Sequence, residues 1–165
     1  MHQPPVEIIV EELKSETQKE FDRITNEAIN FSEEIHNEVK DRINVILDLL
    51  KCDIVALLQT EIDEHSIEKI EIFYKDVTKN IYSTEMDAWK FLKDKEVEHK
   101  NQLKKSYEYA CEILNKKDKS LEKIYKTSKT FLKSNLKERN RIIKDLSKKA
   151  QELVVSICKN AKKVI

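Results

Sequence analysis

Residues 10–50 read VEELKSETQKEFDRITNEAINFSEEIHNEVKDRINVILDLL, and the spacing of their apolar side chains decides the fold. These side chains recur every three or four residues, and Thr17 fills the one wide gap. They are Val10, Leu13, Phe21, Ile24, Ala28, Phe31, Ile35, Val39, Ile43, Ile46 and Leu50. Because an α-helix has about 3.6 residues per turn, this spacing places them on one face. The stretch is predicted to form one long amphipathic helix that begins after Pro4 and Pro5.

The composition extends this prediction to the whole chain of 165 residues. The chain contains no glycine, and its only prolines are Pro4 and Pro5, so the residues that tight hairpins prefer are missing. Charged residues make up 38% of the chain and hydrophobic residues 39%, a mixture expected when each helix has one apolar and one solvated face. An all-α fold is therefore predicted.

Interruptions in the apolar pattern divide the chain into four predicted helices. Ser83 and Thr84, followed by Glu85, are typical of a helix start, because hydroxyl caps and early acids favour that end. A stripe beginning at Met86 and Trp89 is then predicted to be buried. A slip of the apolar phase near residues 63–66 predicts a kink or short break within the second helix. The predicted helices cover residues 6–51, 53–82, 84–115 and 119–163.

Short connections between long helices favour antiparallel neighbours, so the predicted architecture is an elongated up-down-up-down four-helix bundle. At this length the whole chain, residues 1–165, is expected to form a single helical domain. A dimeric or trimeric coiled coil is the competing architecture. The apolar stripes are wider than a heptad seam, and their period is closer to 3.6 than to 3.5, which favours the bundle. The sequence leaves the oligomeric state open.

The formal net charge of zero conceals a division along the chain. Residues 1–83 contain 9 Lys and Arg against 19 Asp and Glu, whereas residues 84–165 contain 22 against 12. In the last predicted helix nine basic residues fall within about 120° of one another on a helical wheel. We call this set the lysine ridge. Its members are Lys119, Lys123, Lys126, Lys129, Lys133, Lys137, Arg141, Lys144 and Lys148.

Because the apolar residues of the same helix lie nearly opposite, the lysine ridge is predicted to be exposed. Such a ridge is expected to bind an anionic partner. The alternatives are an acidic protein, a membrane surface and a nucleic-acid backbone. A solvated lysine face that binds nothing in particular is the competing interpretation. Lysine greatly outnumbers arginine, and no aromatic residue interleaves with the ridge, so sequence-specific nucleic-acid binding is not expected.

Two Glu-x-x-His pairs, Glu33 with His36 and Glu96 with His99, have the spacing found in di-iron helical bundles. A shared metal site needs both pairs to point inward, and Glu33 is predicted to face solvent. Glu96 and His99 are therefore the nearest metal candidates, but the favoured interpretation is a polar layer or a loosened stretch of helix. No metal and no other cofactor is expected.

Three widely spaced cysteines, Cys52, Cys111 and Cys158, match neither a disulfide framework nor a zinc motif. Buried reduced thiols are predicted. In the four-helix topology Cys52 and Cys111 lie toward the same end, so a disulfide, if one formed, would join these two, and the sequence leaves their oxidation open. Nucleophilic catalysis lacks a glycine-supported elbow or phosphate loop, and the chain is not expected to be an enzyme.

No signal peptide or membrane span is visible, which favours a cytoplasmic protein, with secretion the alternative if a leader has been removed. The leading functional hypothesis is a non-enzymatic interaction or structural protein that presents the lysine ridge to an anionic partner. The alternative is an exchangeable lipid-associated helical bundle. In size, helix length and composition the chain is similar to apolipophorins, without a shared motif, and this likeness implies helices that exchange their mutual contacts for lipid.

Overall fold

The structure is a computed structural model that describes residues 6–60, 63, 65–114 and 119–165. Over these residues it consists of three α-helices and contains no strand. Helix α1 spans Val6–Gln59, α2 spans Ser66–Leu114 and α3 spans Lys119–Val164. The all-α prediction is confirmed. The four-helix bundle is wrong, because the described residues form only three helices.

Two of the predicted helix boundaries lie inside continuous helices. Around residues 82–84 the Thr84 hydroxyl donates to the carbonyl oxygen of Asn80 at 3.0 Å, one turn earlier, instead of capping a new helix. Ile81 and Ala88 are buried on either side, so the apolar stripe of α2 continues unbroken. In α1 the buried residues Leu50 and Ile54 carry the stripe past residue 52 in the same way.

Helix α1 ends at Gln59 and α2 begins at Ser66, close to the phase slip in the sequence. The Thr60 hydroxyl closes α1 by donating to the carbonyl oxygen of Leu57 at 2.7 Å. Asp63 then acts as the N-cap of α2, because its Oδ1 accepts from the His65 amide at 2.9 Å. The Asp63 amide in turn donates to Ser66 Oγ at 3.1 Å, which completes a reciprocal capping box. Hydrogen bonds of side-chain oxygens therefore end one helix and begin the next, at a position where many other chains have a glycine.

Replacing Asp63 by alanine is expected to lower the free energy of unfolding by about 0.5–2 kcal/mol, because the His65 amide loses its acceptor. Urea denaturation followed by circular dichroism measures the change. Asp63→Asn serves as the control, since asparagine retains a capping oxygen. An alanine variant as stable as the native chain would contradict the assignment of Asp63 as the cap.

The chain divides into two compact units, and all three helices contribute to each. Unit 1 contains Met1–Glu33 and Phe91–Glu138, and unit 2 contains Glu34–Lys90 and Arg139–Ile165. The prediction of a single domain stays a prediction.

In unit 1 the three helices meet through aromatic contacts. Phe31 of α1 lies edge-on to Phe91 of α2 with ring centroids 6.3 Å apart. Glu27, one turn earlier in α1, approaches His99, two turns later in α2, so these helices are antiparallel. Phe21 and Phe131 join α1 to α3, and Tyr107 and Tyr125 join α2 to α3. The fully buried side chains among the described residues include Ile24, Ala28, Leu121 and Leu132.

In unit 2 polar contacts fix the register of the helices. Glu85 and Glu71 of α2 pair with Ser147 and Lys162 of α3, so the two helices are antiparallel. Arg42 of α1 lies 3.8 Å from Asp87 of α2. The core is mainly aliphatic, and its most deeply buried members are Leu50, Ile70, Ile81, Ile143 and Val154.

Candidate anionic-partner surface

The lysine ridge lies along α3 and is exposed wherever its side chains are described. All eight members from Lys123 to Lys148 are exposed, and the ninth, Lys119, lies outside the described side chains. The buried stripe of the same helix runs through Leu132, Leu136 and Ile143, and it faces the other two helices. The ridge is therefore available to a partner, while the binding itself stays a prediction.

Few carboxylates of the described residues hold the ridge lysines. Lys126 lies 3.4 Å from Glu122 and Arg141 lies 3.8 Å from Asp145, and both pairs are exposed contacts within α3. Exposed pairs one turn apart in a helix contribute only about 0.3–0.5 kcal/mol. Among the described residues no acidic side chain lies within ion-pair distance of Lys133, Lys137 or Lys144. These three ammonium groups are thus available for an external anion.

The excess of basic residues is sharper in α3 than in the second half of the chain as a whole, and α1 is as acidic as the first half. Residues 6–59 of α1 contain 6 Lys and Arg against 13 Asp and Glu, and residues 119–164 of α3 contain 14 against 4. Within α1, Arg23 binds Glu20 and Glu27, and its guanidinium lowers the pKa of the Glu20 carboxyl through a hydrogen bond. Most acidic side chains of α1 are exposed. The protein thus has an acidic helix and a basic helix, each with its charges in solvent.

Aromatic rings lie closer to the ridge than the sequence indicated. Lys129 Nζ is 6.0 Å from the ring centroid of Tyr125, one turn earlier in α3. Lys126 and Phe131 line a shallow depression of about 450 Å³, and Phe131 is half exposed. Both rings lie beside the ridge and not among its members, and the prediction against sequence-specific nucleic-acid binding stays a prediction.

Helix α2 carries a second set of exposed side chains, two of which the sequence placed in the core. Tyr82, Met86 and Trp89 are 59%, 49% and 39% exposed. The buried stripe of this region runs instead through Ile81 and Ala88, in phase with the earlier part of α2. The prediction of a buried Met86 and Trp89 is wrong because it restarted the helical phase at residue 84.

His99 is the one buried histidine among the described residues, with 1% of its surface exposed. Its ring stacks on Phe31 with centroids 6.4 Å apart, and its Nδ1 has no hydrogen-bond partner among the described residues. Glu27 Oε2 lies 4.0 Å from Nε2. Burial lowers the pKa of His99, and the carboxylate of Glu27 opposes this effect. This part of α2 thus contains a buried imidazole next to a carboxylate, and the predicted polar layer stays a prediction.

The two Glu-x-x-His pairs do not converge on a metal site. Glu33 is exposed, as predicted, and Glu96 is held by Lys100 at 2.6 Å. His99 presents its Nε2 to Glu27 instead. Across the described part of the chain, no group of three or more His, Cys, Asp or Glu side chains is close enough to hold a metal ion. The expected absence of a metal stays a prediction.

The cysteines occupy three different environments, and all three are free thiols. Cys158 is buried, Cys111 is half-buried and Cys52 is exposed, so the prediction of buried thiols is wrong for Cys52. That side chain lies between buried Leu50 and Ile54, on the solvated side of α1. The Cys52–Cys111 pairing depends on the four-helix topology, which the three described helices replace. Cys52 and Cys158 belong to unit 2, and Cys111 belongs to unit 1.

Neither the buried thiol of Cys158 nor the phenol of Tyr107, which is bonded to Cys111, has the lowered pKa that a nucleophile needs. Burial raises the pKa of Cys158, which lies in a groove of about 430 Å³ between α2 and α3 with Tyr74 and Val155. The hydrogen bond with Cys111 raises the pKa of Tyr107 to about 12. Both groups are therefore protonated near neutral pH, and a nucleophile needs the opposite shift.

Comparisons of the chain with protein-family models, with curated proteins and with solved structures find no match. Within the described residues, none of the helices combines the length and apolar character needed to cross a bilayer.

Proposed function

We propose that this chain is a non-enzymatic interaction protein that binds an anionic partner through the lysine ridge of α3. The exposure of all eight described ridge side chains, on a helix with 14 basic and 4 acidic residues, is the observation that carries the proposal. The partner supplies a repeating negative charge, as a phosphate backbone, an acidic protein or an anionic lipid surface does.

Attraction to such a partner comes from many weak charge contacts. Each lysine near an anionic surface contributes about 1 kcal/mol at low ionic strength, and salt screens exposed charges over about 10 Å at 0.1 M. Lysine ammonium groups on flexible stems suit this kind of contact, because they need no fixed geometry. Binding is therefore expected to be strong at low salt and weak at high salt.

Replacing Lys126, Lys133, Lys137 and Lys144 together by glutamate is expected to reduce heparin binding roughly a hundredfold at low salt, because the contacts change from attraction to repulsion. Helix content should stay nearly unchanged, since exposed substitutions usually alter stability by less than about 0.5 kcal/mol each. Heparin-affinity elution across a salt series and circular dichroism measure the two effects.

The matched control replaces four exposed lysines outside the ridge by glutamate, which gives the same change in net charge. These lysines are Lys19, Lys40, Lys51 and Lys69. The control should retain most of the heparin binding. An equal loss of heparin binding in both variants would show that net charge alone causes the effect, and it would contradict the proposal. Native protein that binds no polyanion would also contradict it.

A second candidate is the exchangeable lipid-associated protein, in which the helices separate and turn their apolar stripes toward lipid. The largely apolar buried stripes of the three helices favour it. This binding mode depends on apolar contact and persists at high salt, whereas ridge binding weakens. Binding to anionic vesicles at about 0.5 M salt, expressed as the ratio to binding at about 0.05 M, therefore separates the two candidates.

A further inference from the structure

Helix α2 in unit 2 carries an exposed stripe in which three apolar side chains lie between lysines. Tyr82, Met86 and Trp89 are four and three residues apart, so they share one face of the helix. Lysines on the same face precede Tyr82 by one and two turns, and another follows Trp89. We call this set the α2 stripe, and it consists of Lys75, Lys79, Tyr82, Met86, Trp89 and Lys90, all exposed.

The α2 stripe carries only positive charge on its own face. The acidic residues between positions 75 and 90 are Asp76, Glu85 and Asp87, and helical spacing places each of them outside that face. Glu85 accepts a hydrogen bond from Ser147 Oγ of α3 at 2.7 Å. Asp87 lies 3.8 Å from Arg42 of α1. Two of the three carboxylates are therefore engaged by the neighbouring helices.

The same hydrogen bond joins α3 to α2 at the level of this stripe, beside the two ridge members Lys144 and Lys148 of unit 2. Ser147 lies between Lys144 and Lys148 in α3, and its partner Glu85 lies between Tyr82 and Trp89 in α2. Both lysines are exposed. Unit 2 thus presents one surface with an apolar centre on α2 and basic side chains on both helices.

We infer that this surface of unit 2 docks on an anionic lipid membrane, with Tyr82, Met86 and Trp89 in the interfacial layer and the lysines at the headgroups. The inference rests on the proposed function, because the ridge supplies part of the charge. Tryptophan and tyrosine favour the membrane–water interface. Lysine stems lie along apolar surface while their ammonium groups reach anionic headgroups.

An anionic membrane makes a favourable contact with every residue of this surface, whereas a nucleic acid does not. A nucleic-acid backbone matches the lysines and stacks bases on Tyr82 or Trp89, but Met86 has no ring for stacking. An acidic protein with a flat charged surface leaves the exposed apolar centre without a partner. Charge complementarity and the apolar centre together therefore point to the membrane.

Trp89 is the chain's one tryptophan, so its fluorescence reports on this surface directly. The full chain is titrated with phosphatidylcholine vesicles that contain phosphatidylserine. We expect a blue shift of Trp89 emission and protection from acrylamide quenching on binding, both diminishing as salt rises. Vesicle binding without a blue shift would overturn the inference, because Trp89 would then remain in water.

The stripe is tested by Tyr82→Ser combined with Met86→Ser, which retains the fluorescent reporter. Vesicle affinity should fall about tenfold, since membrane affinity scales with buried apolar area, and heparin binding should stay unchanged. The control is Val45→Ser with Leu49→Ser, two residues of α1 that are 58% and 59% exposed, and it should bind vesicles as the native chain does. A double variant of the stripe that binds vesicles with native affinity would overturn the inference.

Heparin and vesicles together distinguish the two proposals. Ridge-dependent binding to heparin or to a single-stranded RNA homopolymer, without vesicle binding, overturns the membrane inference and leaves the proposed function standing. A chain that binds neither heparin nor anionic vesicles overturns both. Salt-insensitive binding to pure phosphatidylcholine vesicles overturns the inference in favour of the exchangeable lipid-associated protein.

Discussion

Replacing Ser83 by proline is expected to lower the free energy of unfolding by about 3 kcal/mol or more. In the three-helix structure Ser83 lies well inside α2, which spans Ser66–Leu114. Proline there removes a backbone hydrogen bond to the preceding turn, and its ring clashes with the carbonyl oxygen four residues earlier. Urea denaturation followed by circular dichroism measures the loss.

Alanine at the same position is the matched control, and it makes the prediction specific to the fold. In a continuous helix Ser83→Ala is expected to raise the free energy of unfolding by up to about 0.5 kcal/mol, because alanine has the higher helix propensity. In a four-helix bundle Ser83 or Thr84 would cap a new helix, so alanine would destabilise and proline would be tolerated. Opposite signs for the two variants support the three-helix topology, and a tolerated proline contradicts it.

The fold class and most of the buried stripe follow from the sequence, because amphipathic periodicity is a local property. Ile24, Ile43 and Leu132 occupy the core positions that the spacing predicts. Helix boundaries do not follow in the same way. A threonine hydroxyl satisfies an amide at a helix start or a carbonyl inside a helix equally well, and Thr84 does the second. The real break uses Asp63 and Ser66, with no glycine to mark it.

Because the predicted boundary at residue 84 was wrong, part of the candidate surface on α2 was not predicted. Restarting the helical phase at residue 84 moved Met86 and Trp89 into the predicted core, whereas both are exposed. The lysine ridge did not depend on that boundary, because its helix was predicted with nearly the observed bounds. The neighbourhood of the ridge was unpredictable, since the Ser147–Glu85 contact joins residues 62 positions apart. Local periodicity places a side chain on a face, but only tertiary register brings two faces together.

Acidification below about pH 6.5 is expected to destabilise the protein through His99, whose side chain is buried against Phe31 in unit 1. Burial lowers the folded-state pKa of His99 below that of an unfolded histidine. Between these two pKa values the unfolded chain binds more protons than the folded chain, so the free energy of unfolding falls with falling pH. The stability that depends on a neutral His99 is present in full above about pH 6.5, and it is lost as the pH falls toward the folded-state pKa of His99.

The charged neighbours of His99 set the size of this loss. Glu27 and Glu98 raise its pKa, whereas Lys95 and Arg23 lower it. Lys95 Nζ also lies 4.6 Å from the ring centroid of Phe31, on which His99 stacks. Glu27→Gln removes the nearest attraction for a protonated imidazole. This variant is therefore expected to deepen the acid-induced loss of stability.

His99→Leu is expected to abolish the acid-induced loss and to raise the free energy of unfolding at neutral pH by up to about 3 kcal/mol. The gain arises because a buried polar atom without a partner costs about 1–3 kcal/mol, and His99 Nδ1 has none among the described residues. Urea denaturation at intervals between about pH 5 and 8, where most carboxylates stay ionised, measures both effects. His65→Gln, at an exposed histidine, is the control and should retain the native pH profile. If His99→Leu keeps that profile too, another group causes the acid sensitivity and the role assigned to His99 is wrong.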